Sequence, residues 1–179
     1  MSKLAFIFPG QGAQKAGMGK DFYDNSEAAR SFFDNAQKIL DFDLKEMCFG
    51  EHEELNLTEY TQPCMVSVCL AIVQELKKRG INPDITAGLS LGEYAAVAAA
   101  GGMNELDAIK LVRRRGILMQ STVPAGEGAM AAVLGLDAKK IEEILESFEN
   151  VWIANYNCPG QIVICLLYTS PSPRDKRQS

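Results

Sequence analysis

The stretch Gly88-Leu89-Ser90-Leu91-Gly92 decides how the surrounding chain folds. A short apolar segment precedes it, and a run of residues 95–100 that is almost all alanine follows it. This order of strand, sharp turn and helix is the setting in which G-x-S-x-G forms a nucleophile elbow. Side chains at the two glycines would collide with the neighbouring strand or helix. The pattern therefore predicts Ser90 as a nucleophile and the Leu91 amide as an oxyanion donor at a helix N-terminus, although five residues alone also fit a small-residue turn with an incidental serine.

Composition limits the class of protein. The chain has 179 residues, enough for one domain or for one domain and part of another. Its net charge of −5 argues against a nucleic-acid partner. Its five cysteines contain no C-x-x-C pair and predict reduced thiols instead of a disulfide framework or a metal site. Since no signal peptide or membrane segment is evident, we expect a cytoplasmic protein that does not bind membranes.

Hydrophobic periodicity predicts the elements of the first part of the chain. The apolar run Leu4–Phe8 predicts a strand buried on both faces, followed by a glycine-rich loop. Residues 41–60 are acidic and predict an irregular surface connection, in which His52 is a solvated surface histidine. The predicted helices run from Asn25 or Ser26 to Leu40, from Thr61 to Arg79 with Pro63 in the first turn, over residues 92–100, and from Asn104 to about Thr122.

Three successive arginines, 113–115, interrupt the last of these helices. They are compatible with a solvated basic face. Three successive helical positions span about 200°, however, so at least one arginine should point away from the others and could reach a cleft.

The pattern changes after residue 124. Strands are predicted over Ala129–Gly135, Val151–Ala154 and Gln161 to about Cys165, with a helix from Asp137 to about Phe148. This β-α-β-β order is the first part of a ferredoxin-like unit. Residues 166–179 are rich in proline and serine, basic, and without an apolar stripe.

Five motifs occur in one order along the chain, and together they are far more specific than the elbow alone. They are Phe8-Pro9-Gly10-Gln11-Gly12, Gly88-Leu89-Ser90-Leu91-Gly92-Glu93-Tyr94, Arg115-Gly116, Gly128-Ala129-Met130-Ala131-Ala132 and the Asn155, Asn157, Pro159-Gly160-Gln161 segment. With them the sequence resembles malonyl-CoA:acyl carrier protein transacylases, the malonyltransferases of bacterial fatty-acid synthesis, from residue 3 to about Ile164.

The resemblance implies an α/β fold. Residues 1–124 would form the N-terminal part of an α/β-hydrolase-like core, which is incomplete here. Residues 125–165 would form part of a smaller ferredoxin-like subdomain. Residues 166–179 would be a tail foreign to the family, disordered or the product of a chimeric gene model.

The resemblance also assigns roles. Ser90 would attack the thioester of malonyl-CoA and carry the malonyl group to the phosphopantetheine thiol of acyl carrier protein. The backbone amides of Gln11 and Leu91 would form the oxyanion hole, and Arg115 would bind the free malonate carboxylate. Arg113 and Arg114 would stay solvated or attract the acidic carrier protein. No bound cofactor and no metal are expected, and malonyl-CoA enters as a substrate.

The family's general base is a histidine in a later segment, and His52 does not match it. Without a base, a serine hydroxyl is a poor nucleophile near neutral pH. We therefore expect a truncated chain that is inactive alone, even though Met1 shortly before the first strand favours a discrete enzyme. The alternatives are a G-x-S-x-G esterase or thioesterase and an inactive fragment that binds CoA or the carrier protein.

Overall fold

The computed structural model describes residues 3–122 and 127–167. The chain divides into two compact units, Met1–Ser121 and Thr122–Ser179, and contains both helices and strands, as expected for an α/β protein. The predicted boundary at residue 124 lies outside the described residues. Of the predicted tail, Leu166 and Leu167 belong to the last strand, and residues 168–179 lie outside the described ranges.

The first unit is built mainly of helices around a short parallel sheet. Its elements are β1 (Ala5–Phe8), α1 (Lys20–Asn25), α2 (Glu27–Gln37), α3 (Leu44–Phe49), a 3-10 helix (Glu53–Asn56), α4 (Thr58–Lys78), β2 (Ile85–Gly88), α5 (Gly92–Ala99) and α6 (Glu105–Thr122).

Strands β1 and β2 are paired in parallel, so both end at the same edge of the sheet. Ala5 is opposite Ile85 and Phe8 is opposite Gly88. Phe8 is buried in the core, whereas Ile7 is 78% exposed and Ile85 is 54% exposed. The prediction that the first strand is buried on both faces is therefore wrong, because the helices of the described chain cover only part of this sheet. The loops that follow the two strands leave from one edge, where open α/β sheets bind their ligands.

Helices α2 and α4 form much of the core. Ser26 caps α2 as predicted, since its hydroxyl accepts a hydrogen bond from the Ala29 amide at 3.1 Å. Helix α4 begins at Thr58 and not at the predicted Thr61, so Pro63 lies inside the helix. A proline has no N–H to donate to the carbonyl four residues earlier, which here belongs to Glu59.

The segment 41–60 is not irregular as predicted. It contains α3 and the 3-10 helix, and the Asp43 carboxylate caps α3 by accepting from the Glu46 amide at 3.0 Å. Leu44 and Cys48, four residues apart, are fully buried, and Leu55 is 4% exposed. These three buried residues are difficult to recognise in so acidic a segment, because the two helices have only six and four residues, too few for a repeated apolar pattern.

The second unit is a three-stranded antiparallel sheet with one helix. Its elements are β3 (Gly128–Leu134), α7 (Ala138–Leu145), β4 (Val151–Cys158) and β5 (Gln161–Leu167), and the strand order is β3-β5-β4. The Asp137 carboxylate caps α7 by accepting from the Lys139 amide at 2.9 Å. These elements lie in the predicted order. Strand β4 runs on to Cys158, beyond the predicted Ala154, so the turn to β5 is reduced to Pro159 and Gly160.

The described ranges contain no helix that is long and apolar enough to cross a bilayer. Over the same ranges, histidine, cysteine and acidic side chains form no group of three that could hold a metal ion. All five cysteines are free thiols. Burial raises the pKa of the Cys69 thiol to about 11, and a hydrogen bond with Cys64 together with burial raises the pKa of Cys48.

Candidate active site

The structure has the predicted order of strand, sharp turn and helix around Ser90, and the two glycines of this turn are sterically required. A Cβ atom on Gly88 would lie 2.1 Å from the carbonyl carbon and oxygen of Gly92. A Cβ atom on Gly92 would lie 2.3 Å from the carbonyl oxygen of Phe8. Between them, Ser90 has a φ of 50°, in the left-handed region that residues with a side chain rarely adopt. This strained backbone is typical of a functional site and is the geometry in which an elbow exposes its serine.

Two backbone amides beside Ser90 are available to bind an anion. The loop after β1 packs on the elbow, since a Cβ atom on Gly10 would lie 2.9 Å from the Leu89 carbonyl oxygen, and the Leu89 amide donates to the Phe8 carbonyl at 3.1 Å. Within residues 3–122 and 127–167, the amides of Gln11 and Leu91 have no hydrogen-bond acceptor. Each follows a strand end at one edge of the sheet, as two oxyanion donors would.

The Gln11 side chain is held by helix α4. Its Nε2 donates to the Thr58 hydroxyl at 3.1 Å, and its Oε1 accepts from Gln62 Nε2 at 3.5 Å. Thr58 itself is fixed, because its amide donates to the Gln120 side-chain oxygen at 3.1 Å. Both polar atoms of the Gln11 side chain are therefore hydrogen-bonded, while the backbone amide of the same residue has no acceptor among the described residues.

Arg115 lies beside α5, the helix that follows Ser90. Its guanidinium carbon is 5.6 Å from the centre of the Tyr94 ring, and Tyr94 lies one helical turn beyond Ser90. The Arg115 side chain is half-buried, and none of the described carboxylates forms an ion pair with it. A cation that is positioned by an aromatic ring and lacks a protein counter-ion is suited to binding a carboxylate of a ligand.

The site thus contains a strained serine together with two amides and an arginine that have no hydrogen-bond or ion-pair partner among the described residues, all within the first unit. Residues 5–166 match the profile described as the acyl transferase domain. The chain belongs to the acyl transferase domain family.

Relatives of known name agree with this assignment. A malonyl CoA-acyl carrier protein transacylase from Bacillus subtilis is 48% identical over 169 residues, covering 92% of this chain and 53% of the relative. The crystal structure of a malonyl CoA-acyl carrier protein transacylase from Clostridium perfringens has a TM-score of 0.85 and 44% identity, covering 93% of this chain and 54% of the other. A malonyl-transacylase solved in complex with a type II PKS acyl-carrier protein has a TM-score of 0.83 and 39% identity, covering 93% and 56%. The chain spans about half the length of the curated relatives it matches.

Arg113 has a structural role in this acyl transferase domain, and the prediction that it stays solvated or attracts a carrier protein is wrong. Its Nε and Nη2 donate to the two carboxylate oxygens of Asp41 at 2.8 and 2.9 Å. The guanidinium carbon lies 5.1 Å from the Phe42 ring centre and 4.9 Å from that of Tyr60. Its side chain is only 12% exposed. These hydrogen bonds hold the pKa of Asp41 below its usual value.

Arg113 also supplies the hydrogen bond that Pro63 cannot donate within α4. Its Nη1 donates to the Glu59 carbonyl at 2.8 Å, which is the carbonyl that Pro63 cannot satisfy. Arg114, by contrast, is exposed. The three consecutive arginines therefore have different surroundings: Arg113 pairs with Asp41, Arg114 is exposed to solvent and Arg115 lies over the Tyr94 ring.

His52, the only histidine of the sequence, is at the surface as predicted. Its Nε2 lies 3.1 Å from a carboxylate oxygen of Glu46, and its side chain is 31% exposed. It precedes the 3-10 helix and folds back over Gly50, where an added Cβ atom would lie 2.6 Å from its Nε2. The structure thus engages His52 with its own local segment.

The Asn155–Gln161 motif lies in the second unit. It covers the end of β4, the turn at Gly160 and the start of β5, and the Asn157 side-chain amide donates to Gln161 Oε1 at 3.2 Å. Gly160 has a φ of 78°, so the turn favours a glycine at this position.

The sequence analysis missed Thr58 and Gln62. A signal for Gln62 existed, because a glutamine at helical spacing from Met65 and Val66 lies on the apolar face of its helix. A fully buried amide on such a face needs a polar partner. For Thr58 the sequence contains no such signal, since the predicted helix began after it.

Proposed function

We propose that the protein to which this chain belongs transfers a malonyl group from malonyl-CoA to the phosphopantetheine thiol of acyl carrier protein. The malonyl CoA-acyl carrier protein transacylases named above support the reaction class. The chain would contribute the nucleophile Ser90, the oxyanion donors Gln11 and Leu91, and the carboxylate ligand Arg115.

The reaction proceeds through an ester on Ser90. The serine oxygen attacks the thioester carbonyl, its proton passes to a base, and the negative charge of the tetrahedral intermediate falls on the oxygen between the two free amides. The carbon–sulfur bond then breaks, and the CoA sulfur leaves with a proton. The carrier thiol attacks the ester in the same way and releases Ser90. His52 lies against Glu46 and Gly50, and none of its described contacts is with the residues of this site, so we do not assign it as the base.

One observation supports a malonyl group over a neutral acyl group as the substrate. The Arg115 guanidinium lies over the ring of Tyr94, which is one helical turn beyond Ser90, and none of the described carboxylates pairs with it. A site for neutral acyl groups gains nothing from such a cation, whereas a malonyl group carries a free carboxylate that a guanidinium binds through two parallel hydrogen bonds.

We also infer the finer architecture from the arrangement of strands. The parallel β1–β2 pair, with a nucleophile elbow after β2, supports an α/β-hydrolase-like core over residues 1–124. The antiparallel order β3-β5-β4, with α7 connecting β3 to β4, supports a ferredoxin-like subdomain over residues 125–165. Five free thiols support a reducing, cytoplasmic location.

The test supplies the missing base as free imidazole. The chain is incubated with malonyl-CoA, with and without imidazole, and intact-protein and peptide masses are followed over time. We expect a malonyl ester on Ser90 whose formation accelerates with imidazole, negligible turnover without it, and transfer of the group to the thiol of added carrier protein in preference to water.

Matched variants separate the roles. Ser90→Ala should abolish the adduct. Arg115→Ala should lower the malonylation rate by roughly 10- to 100-fold and leave acetylation by acetyl-CoA nearly unchanged, because only malonyl carries the second carboxylate. Arg114→Ala is the control for loss of a nearby positive charge. An adduct that persists in Ser90→Ala, or equal malonyl and acetyl rates in the unaltered chain, would contradict the proposal.

A further inference from the structure

Gln62 is an unusual residue for the middle of a packed helix. Its side chain is completely buried, and its Oε1 has no hydrogen-bond partner among the described residues. Its Nε2 is used twice, donating to Gln11 Oε1 at 3.5 Å and to the Met119 sulfur at 3.3 Å. The amide therefore connects the loop after β1 with helix α6.

These two contacts join the two halves of the candidate site. Gln11 carries one of the free backbone amides, and Met119 lies one helical turn after Arg115 on α6. Helices α4 and α6 also approach each other closely near these contacts, because a Cβ atom on Gly116 of α6 would lie 2.8 Å from the carbonyl oxygen of Thr58 on α4. Gln62 thus lies at the point where the oxyanion loop and the arginine-bearing helix meet α4.

Stability alone does not explain a glutamine here. Pro63 and Val66, its neighbours on α4, are buried apolar residues, and an apolar side chain of similar size would leave no unpaired oxygen. Gln11 is exposed, so water could satisfy its side chain without Gln62. Residues that break a packing rule in this way are concentrated at functional sites.

The geometry therefore points to Gln62 as a positioning residue: we propose that it holds Gln11, and with it the oxyanion amide, at a fixed place relative to the α6 face that carries Arg115. The proposal rests on the function proposed above. Gln11 is flanked by Gly10 and Gly12, and Gly12 has a φ of 108°, so the loop backbone has little stiffness of its own. Donors that are not preorganised stabilise a developing oxyanion less.

The main test replaces Gln62 with methionine, which keeps the length of the side chain and removes its polar atoms. Ser67→Ala is the matched control, because Ser67 is also fully buried on α4 with an unpartnered oxygen. Three quantities are measured on the full chain: the unfolding temperature, the ¹⁵N order parameters of the Gln11 and Gly12 amides, and the rate of Ser90 malonylation at saturating malonyl-CoA and imidazole.

We expect Gln62→Met to unfold at the same or a higher temperature. Its Gln11 order parameter should fall from about 0.85 toward 0.6, and its saturating malonylation rate should fall roughly 10- to 100-fold with little change in the half-saturating concentration. Ser67→Ala should change neither the order parameter nor the rate. A purely structural glutamine would instead lower the unfolding temperature and leave the saturating rate of the folded fraction unchanged.

Thr58 provides a second, independent test at the other end of the Gln11 side chain. Thr58→Val removes the hydroxyl that accepts from Gln11 Nε2, and Thr58→Ser keeps it. We expect the valine variant to reproduce the loss of loop order and rate, and the serine variant to restore most of both.

The outcomes separate the two proposals. An unchanged Gln11 order parameter in Gln62→Met overturns the positioning role, whatever the chemistry. Loss of order without loss of rate also overturns it, since the loop would then not need to be held. If the unaltered chain forms no malonyl-Ser90, the proposed function fails, while the order parameters still decide whether Gln62 holds the loop.

Discussion

Replacing Arg113 with methionine should destabilise the first unit without altering Ser90. Methionine retains much of the apolar stem and loses every hydrogen bond of the guanidinium. In the structure these bonds go to the Asp41 carboxylate and to the carbonyl and carboxylate of Glu59, and the charge lies over two aromatic rings. Arg114→Met is the matched control, because Arg114 is the next residue of the chain and its side chain is exposed.

The magnitude follows from the exposure of each partner. The Asp41 side chain is 65% exposed, so its ion pair contributes at most about 1 kcal/mol after solvent screening. The charge-assisted bond to the Glu59 carbonyl contributes about 1.5–3 kcal/mol, and the ring contacts about 0.5–1 kcal/mol each, of which methionine keeps a part. We expect a total loss of about 3 kcal/mol, which for a chain of this length lowers the unfolding temperature by about 6–12 °C.

A double-mutant cycle with Pro63→Ala identifies the decisive bond. Alanine at position 63 restores the N–H that the Glu59 carbonyl lacks, so the carbonyl no longer depends on Arg113. In that background Arg113→Met should cost about 1 kcal/mol less than in the unaltered chain, as measured by urea unfolding. Additive effects of the two substitutions, or a loss in Arg114→Met as large as in Arg113→Met, would refute this reasoning.

The effect of pH on the Arg113 variant follows from the lowered pKa of Asp41. A carboxyl group with a lowered folded-state pKa stabilises the fold above its unfolded pKa, about 3.9, and loses that contribution as the pH falls through the folded value. The difference in unfolding free energy between the unaltered chain and Arg113→Met should therefore narrow below about pH 4. The narrowing should stay within about 1 kcal/mol, because Asp41 is largely exposed. Titration of unfolding between pH 3 and 6 measures it.

Three further predictions concern other parts of the molecule. Gly88→Ala should prevent stable folding, since its Cβ atom would lie 2.1 Å from backbone atoms, whereas Gly101→Ala, with open space and a φ of 80°, should cost about 1 kcal/mol in thermal unfolding. At pH 9 iodoacetamide should label the exposed Cys158 and leave Cys69 unmodified in peptide mass analysis, because burial keeps the latter thiol protonated up to about pH 11. Ile7→Lys should raise the protein concentration at which light scattering detects association without lowering the unfolding temperature, because Ile7 is 78% exposed.

Local sequence signals predicted much of the fold and the centre of the site. The glycine spacing around Ser90 encodes the elbow directly, because only glycines fit the approach of β2 to α5 and of α5 to β1. Capping residues likewise predicted where helices begin. The side-chain oxygen of Asn104, for example, accepts from two amides at 2.9 and 3.2 Å at the start of α6. Each of these signals depends on residues only a few positions apart.

Contacts between distant residues were not predictable in this way. Helical geometry required that the arginines 113–115 diverge, but it could not tell which one faces the elbow. The partner of Arg113 is Asp41, 72 residues earlier, in a segment that the acidic composition had marked as irregular. The burial of Leu44 and Cys48 in that segment likewise results from packing and not from a local pattern.

The N-terminal turns of α4 connect stability with the chemistry proposed for the site. Thr58 holds Gln11, the Glu59 carbonyl binds Arg113, and Gln62 contacts both the loop and α6. Arg113 attaches α6 to Asp41 and to Glu59 of α4, and Arg115 leaves the same helix about 200° further round. Pro63 leaves the Glu59 carbonyl without its helical donor, and Arg113 binds that carbonyl. A residue that ordinarily weakens a helix thus provides an attachment for α6, the helix that carries the proposed carboxylate ligand Arg115.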